Sequence, residues 1–192
     1  MILVILVDLV VLASVGVGCG DDGGPGPDGD GGILDGRPTS PPSSAYCDPV
    51  ADWPADRAAL EAEVVELVNQ IRAQGADCNS EGSFGPAGAL TMDPALQCAA
   101  RVHTLDMFER GYFDHVNPEG QQPWDRMEAA GYTWRSAGEN IAGGRDSAQG
   151  VVDQWMASDG HCANIMGPDF VHIGVGVVPG GPLWTQVFGR PR

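Results

Sequence analysis

An α+β domain with helices on both faces of a small sheet is predicted by three observations. Helical apolar periodicity fills two long stretches before residue 111. Two strand-like runs close the chain around Pro179-Gly180-Gly181-Pro182. Helical segments outnumber strand-like ones throughout.

Each element has a local reason. Leu60, Val64, Leu67, Val68 and Ile71 recur at helical spacing between Ala55 and Gln74, and Gly75 is the stop. Residues 78–89 read as a loop. Asp93-Pro94 opens a second helix, with Asp as N-cap and Pro at the first helical position, and Leu96, Ala99, Ala100, His103, Met107 and Phe108 carry it to Gly111. A polar loop over residues 112–122 contains His115. Pro123 starts a short helix with Trp124, Met127 and Ala130, ended by Gly131. Residues 134–142 read as an extended segment bearing Glu139. Ser147 to Ala157 is a third main helix, apolar at Val151, Val152, Trp155 and Met156. Residues 171–178 and 183–188 are strands of an antiparallel hairpin.

The chain has 192 residues and 43% hydrophobic content, enough for one domain with a real core plus a tail. Its formal charge of −16 repels phosphate backbones and anionic headgroups, which argues against nucleic acid and membrane-surface binding. Much of that acidity lies in the tail and the first helix, where it serves solubility. No internal repeat is visible.

Residues 1–18 read as a signal peptide, an apolar run broken by Asp8. Gly18-Cys19-Gly20-Asp21 resembles a bacterial lipoprotein cleavage site, with Cys19 as the lipidated residue. Two features depart from that pattern: no Lys or Arg precedes the apolar run, and Gly16 stands where Leu is usual. Residues 19–52 are a linker rich in Gly, Pro, Asp and Ser. Residues 53–192 form the folded domain.

Four cysteines remain beyond Cys19: Cys47, Cys78, Cys98 and Cys162. An even number in an exported chain predicts two disulfides. Cys78 and Cys98 flank one loop and are expected to pair, leaving Cys47 to reach Cys162 beside His161. A cysteine metal site is disfavoured, because no Cys-x-x-Cys spacing occurs.

The residues able to carry chemistry are spread out. His115 sits in a loop, Glu139 in the Gly138-Glu139-Asn140-Ile141 segment, and His161 after Gly160, at the end of the Trp155 helix. Taken singly, each has a plainer role: an exposed loop histidine, a carboxylate capping a turn, a helix-terminal histidine near the dipole. Only a fold that converges them makes a metal or acid/base site. His103, at core spacing between Ala99 and Met107, reads as structural. His172 reads as a surface residue.

Several short motifs then fall in a telling order. Asn69-x-x-Arg72, Leu90 to Leu96 with Ala100 and His103, Asp114-His115, Gly138-Glu139-Asn140-Ile141, Trp155, Gly160-His161, Ile173-Gly174 and Trp184-Thr185-Gln186 follow one another between about Leu60 and Gly189. In that order they resemble the CAP (SCP) superfamily of cysteine-rich secretory, antigen 5 and pathogenesis-related 1 proteins, in its short bacterial branch. The resemblance implies a three-layer α-β-α sandwich with a mainly antiparallel sheet and a cleft lined by two histidines and two acidic residues. It places His115, Glu139 and His161 at three of these positions. The fourth falls in Met156-Ala157-Ser158-Asp159, where the family's second Glu is absent: either Ser158 or Asp159 stands in for it, or the site is incomplete.

The resemblance also implies a divalent cation such as Zn²⁺ at His115, His161 and Glu139, and for some members a bound lipid. The function expected first is an exported, monomeric binding module at the cell envelope or outside the cell. Its partner would be a small ligand, a lipid or an envelope protein, and it would meet a membrane only through a lipid anchor. The alternative is a metal-dependent hydrolase, with His115 and His161 as ligands and Glu139 as general base. A Ser158–His161 nucleophile pair lacks a visible oxyanion hole and ranks below both.

Overall fold

A computed structural model describes residues 45–192. The expected signal peptide, Cys19 and most of the expected linker therefore lie outside the described residues. The chain enters through a 3-10 helix, Ala45–Val50, on the linker side of the boundary expected at residue 53. Helix α1 follows (Ala55–Gln74), then a two-stranded hairpin of β1 (Ala76–Asp77) and β2 (Ser83–Phe84) around the 3-10 turn Asn79–Glu81. This hairpin occupies part of the stretch expected to be loop. Next come β3 (Thr91–Met92), α2 (Pro94–Arg110), α3 (Pro123–Ala129) and β4 (Trp134–Gly143). Helices α4 (Ala148–Met156) and α5 (Asp159–Met166) precede β5 (His172–Val177) and β6 (Leu183–Pro191).

The starts and stops follow the local chemistry. Asp93 accepts hydrogen bonds from the Ala95 and Leu96 amides at the start of α2, and Gly111 ends that helix in the left-handed region. Ser147 caps α4 by accepting from the Gly150 amide.

The main sheet has the order β3-β5-β6-β4, parallel only between β3 and β5. The two closing strands form the antiparallel hairpin expected. Strand alternation sends Ile173, Val175, Val177, Trp184 and Phe188 to one face, against Val64 and Val68 of α1, Val151 and Trp155 of α4, and Ile165 of α5. Ala137 and Val187 take the other face, against Leu96, Ala99 and Ala100 of α2 and Met127 of α3. The sheet thus lies between two helical layers, an α+β sandwich as expected.

Two glycines let α2 lie directly on β5. A Cβ at Gly174 would come within 2.1 Å of the Leu96 carbonyl carbon, and one at Gly176 within 2.7 Å of the Ala100 backbone. Nothing larger than hydrogen fits at either point.

The Asn69-x-x-Arg72 motif proves to be a brace. The Asn69 carboxamide accepts from the Leu90 amide at 2.7 Å and donates to its carbonyl at 3.0 Å. Arg72 is fully buried and donates to the carbonyls of Gly88 at 2.8 Å, Ile165 at 2.6 Å and Gly167 at 3.0 Å. It satisfies the orphan carbonyls at the end of α5 with a cation, where the helix dipole favours one.

The disulfides correct the expected pairing. Cys47 joins Cys98, and Cys78 joins Cys162. Cys98 lies inside α2 facing the layer that receives the N-terminal arm, whereas Cys78 packs with Cys162 in the α1/α4/α5 core. Flanking one loop in sequence does not put Cys78 and Cys98 on one face.

Candidate functional site

Glu139 sits in the middle of β4, with its side chain on the α2/α3 face. Its Oε2 accepts from Arg126 Nη2 of α3 at 2.7 Å, and its Oε1 accepts from His115 Nδ1 at 2.8 Å. His103 of α2 is the third neighbour, its Nε2 3.9 Å from Oε1. All four residues are buried.

Burial alone would raise the Glu139 carboxyl. The Arg126 guanidinium, with His103 and His115, overcomes it and holds the group at about 2. His103 is pushed the other way: burial lowers it to about 4, against the pull of Glu139. His103 is therefore neutral at physiological pH, and its Nε2–H donates to the Asp114 carbonyl at 3.0 Å. This fixes the loop one residue before His115. The Val116 amide donates to Asp114 Oδ1 at 2.9 Å, and Arg126 Nη1 donates to the Gln121 carbonyl at 3.0 Å. Arg110 closes the loop from outside with two 2.6 Å bonds to Glu119.

The orientation of His115 follows. Its Nδ1–H donates to the ionised Glu139, and in the tautomer that does so with a single ring proton Nε2 carries the lone pair. That Nε2 is buried without a hydrogen-bond partner, on a side chain 3% exposed. A buried acceptor left open in a fixed orientation is costly unless something occupies it.

The expected trio is only partly assembled. Glu139 and His115 meet directly. His161 lies in the first turn of α5, a helix separate from the Trp155 helix to which sequence reading attached it. Its backbone carbonyl accepts from Asn140 Nδ2 at 3.2 Å, on the side of β4 facing α5. Among the described residues, no three His, Cys, Asp or Glu side chains form a group able to hold a metal ion. Each Glu139 oxygen already accepts one hydrogen bond, from Arg126 or from His115, and the described residues do not gather His115, His161 and Glu139 into one metal-holding group. Asp159 does not supply the second acid either: its carboxylate accepts from Asn79 Nδ2 at 2.9 Å, Ser80 N at 3.2 Å and Ser80 Oγ at 2.5 Å. Ser158 is the N-cap residue of α5. His103 is structural and buried, as expected. His172 is partly exposed at the surface, its side chain 31% accessible and its Nδ1 3.0 Å from the Tyr132 hydroxyl.

Sequence reading missed Arg126, the strongest partner of Glu139. The signal was present: Pro123, Arg126, Met127 and Ala130 recur at i, i+3, i+4, i+7, and all four are buried. A cation inside an apolar stripe requires buried acceptors, an anion as here or backbone carbonyls as at Arg72.

Residues 65–188 match the model of the Cysteine-rich secretory protein family, CAP. The Uncharacterized protein YkwD of Bacillus subtilis (strain 168) is 41% identical over 135 residues, 70% of this chain and 49% of that protein. The Uncharacterized membrane protein YlbC of the same organism is 31% identical over 125 residues, 65% of this chain and 33% of that protein. The chain thus spans about half the length of the first relative and a third of the second. Among solved structures, an extracellular protein containing a SCP domain from Bacillus anthracis str. Ames superposes with a TM-score of 0.61 at 27% identity, over 70% of this chain and 41% of that one. An outer surface protein from Borrelia burgdorferi shares the fold, with a TM-score of 0.56 at 19% identity over 73% of this chain and 96% of that one. Two disulfides fit an exported protein, as does the extracellular Bacillus anthracis protein to which this chain is similar. No described helix is long and apolar enough to cross a membrane. The sandwich, the order of its motifs and the family match over residues 65–188 lead to one conclusion: this chain belongs to the cysteine-rich secretory protein (CAP) family.

Proposed function

We propose that this chain is an exported CAP-domain binding module, held at the cell envelope through Cys19 and binding a small ligand at His115 Nε2. One observation carries the reading. The imidazole is fixed from behind by Glu139, itself fixed by Arg126, while Nε2 is left as a buried acceptor without a partner. A preorganised acceptor of this kind takes a ligand N–H or O–H with little ordering cost. The matching ligand is a small molecule with a hydroxyl, amine or amide donor.

The hydrolase alternative is less well supported. A general base works best with a pKa near the working pH. Glu139, held at about 2 with both oxygens engaged, is too weak a base for that role. A divalent ion held by His115 Nε2 would use Glu139 as an outer-shell orienter and not as a ligand.

The test uses the full chain with both disulfides formed. The His115 ring is followed by NMR during titration with a panel of small alcohols, amines and amides, and separately with Zn²⁺. The expected result is a saturable shift of His115 by members of the donor panel, absent in His115→Ala. Tight stoichiometric Zn²⁺ binding lost in His115→Ala, with no response to the donors, would replace this reading with a metal site.

A further inference from the structure

The Glu139 network holds a second open nitrogen besides His115 Nε2. Arg126 donates through Nη2 to Glu139 Oε2 at 2.7 Å and through Nη1 to the Gln121 carbonyl at 3.0 Å, but its buried Nε has no hydrogen-bond partner. The Arg126 side chain is 3% exposed. A guanidinium N–H is as costly to bury unpaired as an imidazole acceptor. The two open nitrogens are neighbours: their side chains are bonded to the two oxygens of one carboxylate, at 2.7 and 2.8 Å.

The two ask for opposite partners. Arg126 Nε–H is a donor and takes an acceptor, whereas His115 Nε2 takes a donor. The two nitrogens of an imidazole point away from one another, so Nε2 faces away from Glu139, while Arg126 Nε belongs to the group that grips Glu139. Separate atoms of a ligand must then supply the acceptor and the donor. An amide does so, because its C=O and N–H lie on opposite sides. Charge narrows the class further. The Arg126 cation cancels the Glu139 anion, His103 is neutral, and His115 with an open acceptor is the neutral ring. An ionic ligand would bring an uncompensated charge among buried groups, at a far higher cost than a neutral one.

We propose that the ligand bound at His115 is a small neutral molecule presenting an amide, whose N–H donates to His115 Nε2 and whose C=O accepts from Arg126 Nε. This inference deepens the binding function proposed above and rests on it. Arg126 then has two roles, holding Glu139 through Nη2 and reading the ligand carbonyl through Nε.

The test is an NMR titration of the full, disulfide-intact chain that follows the His115 ring nitrogens and the Arg126 Nε–H resonance together. The probes are N-methylacetamide, acetone, ethanol, acetate and methylammonium. N-methylacetamide should shift both signals with one dissociation constant, at least about tenfold lower than that of any other probe, since each of those lacks a separate second partner group or carries a charge. Arg126→Lys keeps a cation for Glu139 and removes Nε–H, so it should bring N-methylacetamide down to the ethanol level. If near-UV circular dichroism shows that this variant does not fold, the parent series decides alone. Ethanol or acetone binding as tightly as N-methylacetamide overturns the amide and leaves the binding function standing. So does an Arg126 Nε–H signal that stays fixed while His115 shifts. Tighter binding of acetate or methylammonium overturns it in favour of an ion. No saturable His115 shift with any of the five sinks the binding function itself, and the amide with it.

Discussion

Glu61 and Glu139 are both buried glutamates paired with an arginine, and their surroundings drive them in opposite directions. Glu61 of α1 accepts from Trp53, from Gln97 Nε2 at 2.6 Å, from the Val177 amide at 3.2 Å and from Arg101. Burial raises its carboxyl, and Arg101, the one cation beside it, offsets that only in part. Glu139 receives fewer hydrogen bonds, but Arg126, His103 and His115 together outweigh burial and lower it. The second difference is where each network ends. Every donor around Glu61 terminates on the carboxylate, and the cluster joins the N-terminal arm, α1, α2 and β5 into a closed joint. The Glu139 network leaves two buried nitrogens without a hydrogen-bond partner, Arg126 Nε and His115 Nε2. Saturation with donors fits a structural carboxylate, and the unsatisfied His115 Nε2 is what the proposed binding function rests on.

Both networks depend on α2 lying close to β5, since α2 carries Gln97 and Arg101 to Glu61 and His103 to Glu139. Gly174→Ala breaks the comparison at this root, because its Cβ would fall on backbone and not on a side chain able to turn away. The expected loss is about 3 kcal/mol or more, or no folded protein at all. Urea denaturation measures it; a loss under about 1 kcal/mol would show that the helix can lift without cost.

Removing each carboxylate alone separates the two. Glu139→Gln leaves Arg126, 3% exposed, as a buried charge without its anion, at a cost of about 3 to 5 kcal/mol. Arg101 is 17% exposed and can turn toward water, so Glu61→Gln should cost less, about 1 to 3 kcal/mol. Equal losses would show that the exposure of the arginine does not set the difference.

Acid sharpens the contrast further. Glu139, lowered to about 2 from 4.5, contributes stability that is present above about 4.5 and is lost as pH falls toward 2. The integrated effect is on the order of 3 kcal/mol. His103, lowered to about 4 from 6.5, acts earlier: its neutral form is the folded one, so stability declines between about 6.5 and 4 and levels off below. Glu61 has the opposite sign, since a raised carboxyl disfavours the folded state at high pH and is relieved as it protonates. In chemical denaturation from pH 7 to 3, Glu139→Gln should flatten the acid slope relative to the parent and Glu61→Gln should steepen it. Parallel slopes for the two variants would contradict the assignment.

How far each network can be read from the sequence follows from the same physics. Glu139 and His115 stand out through motif order, and the elements bearing them lie where periodicity and capping residues put them. Asp93-Pro94 and Gly111 mark the start and end of α2 in the sequence. Glu61 does not stand out, although Glu61, Val64, Val65 and Val68 recur at i, i+3, i+4, i+7 and are all buried. The expected stripe on α1 runs through Leu60, Val64, Leu67, Val68 and Ile71; Val64 and Val68 are fully buried, and the other three are partly buried. A charge inside an apolar stripe reads locally as an interruption; its anion or cation arrives from another helix, which periodicity does not encode. The break between α4 and α5 also escapes sequence reading, because Ser158 opens a second helix only a residue after the first one ends. The cysteine pairing is not legible either, since it depends on which layer each residue faces and not on loop spacing.

The smallest effect tests the closed character of the Glu61 joint. Trp53→Phe keeps an aromatic ring beneath Arg101 and removes one donor, the indole N–H at 2.8 Å from Glu61 Oε1. That oxygen still receives the Val177 amide at 3.2 Å and Arg101 Nε at 3.3 Å. Losing one of several donors to a saturated carboxylate should cost about 1 kcal/mol and leave the His115 ring resonances unchanged. A much larger loss would make Trp53 the keystone of the N-terminal arm and not one donor among several. A shifted His115 ring in that variant would tie the two glutamates into a single unit, so that closure at Glu61 would support the open acceptor at His115.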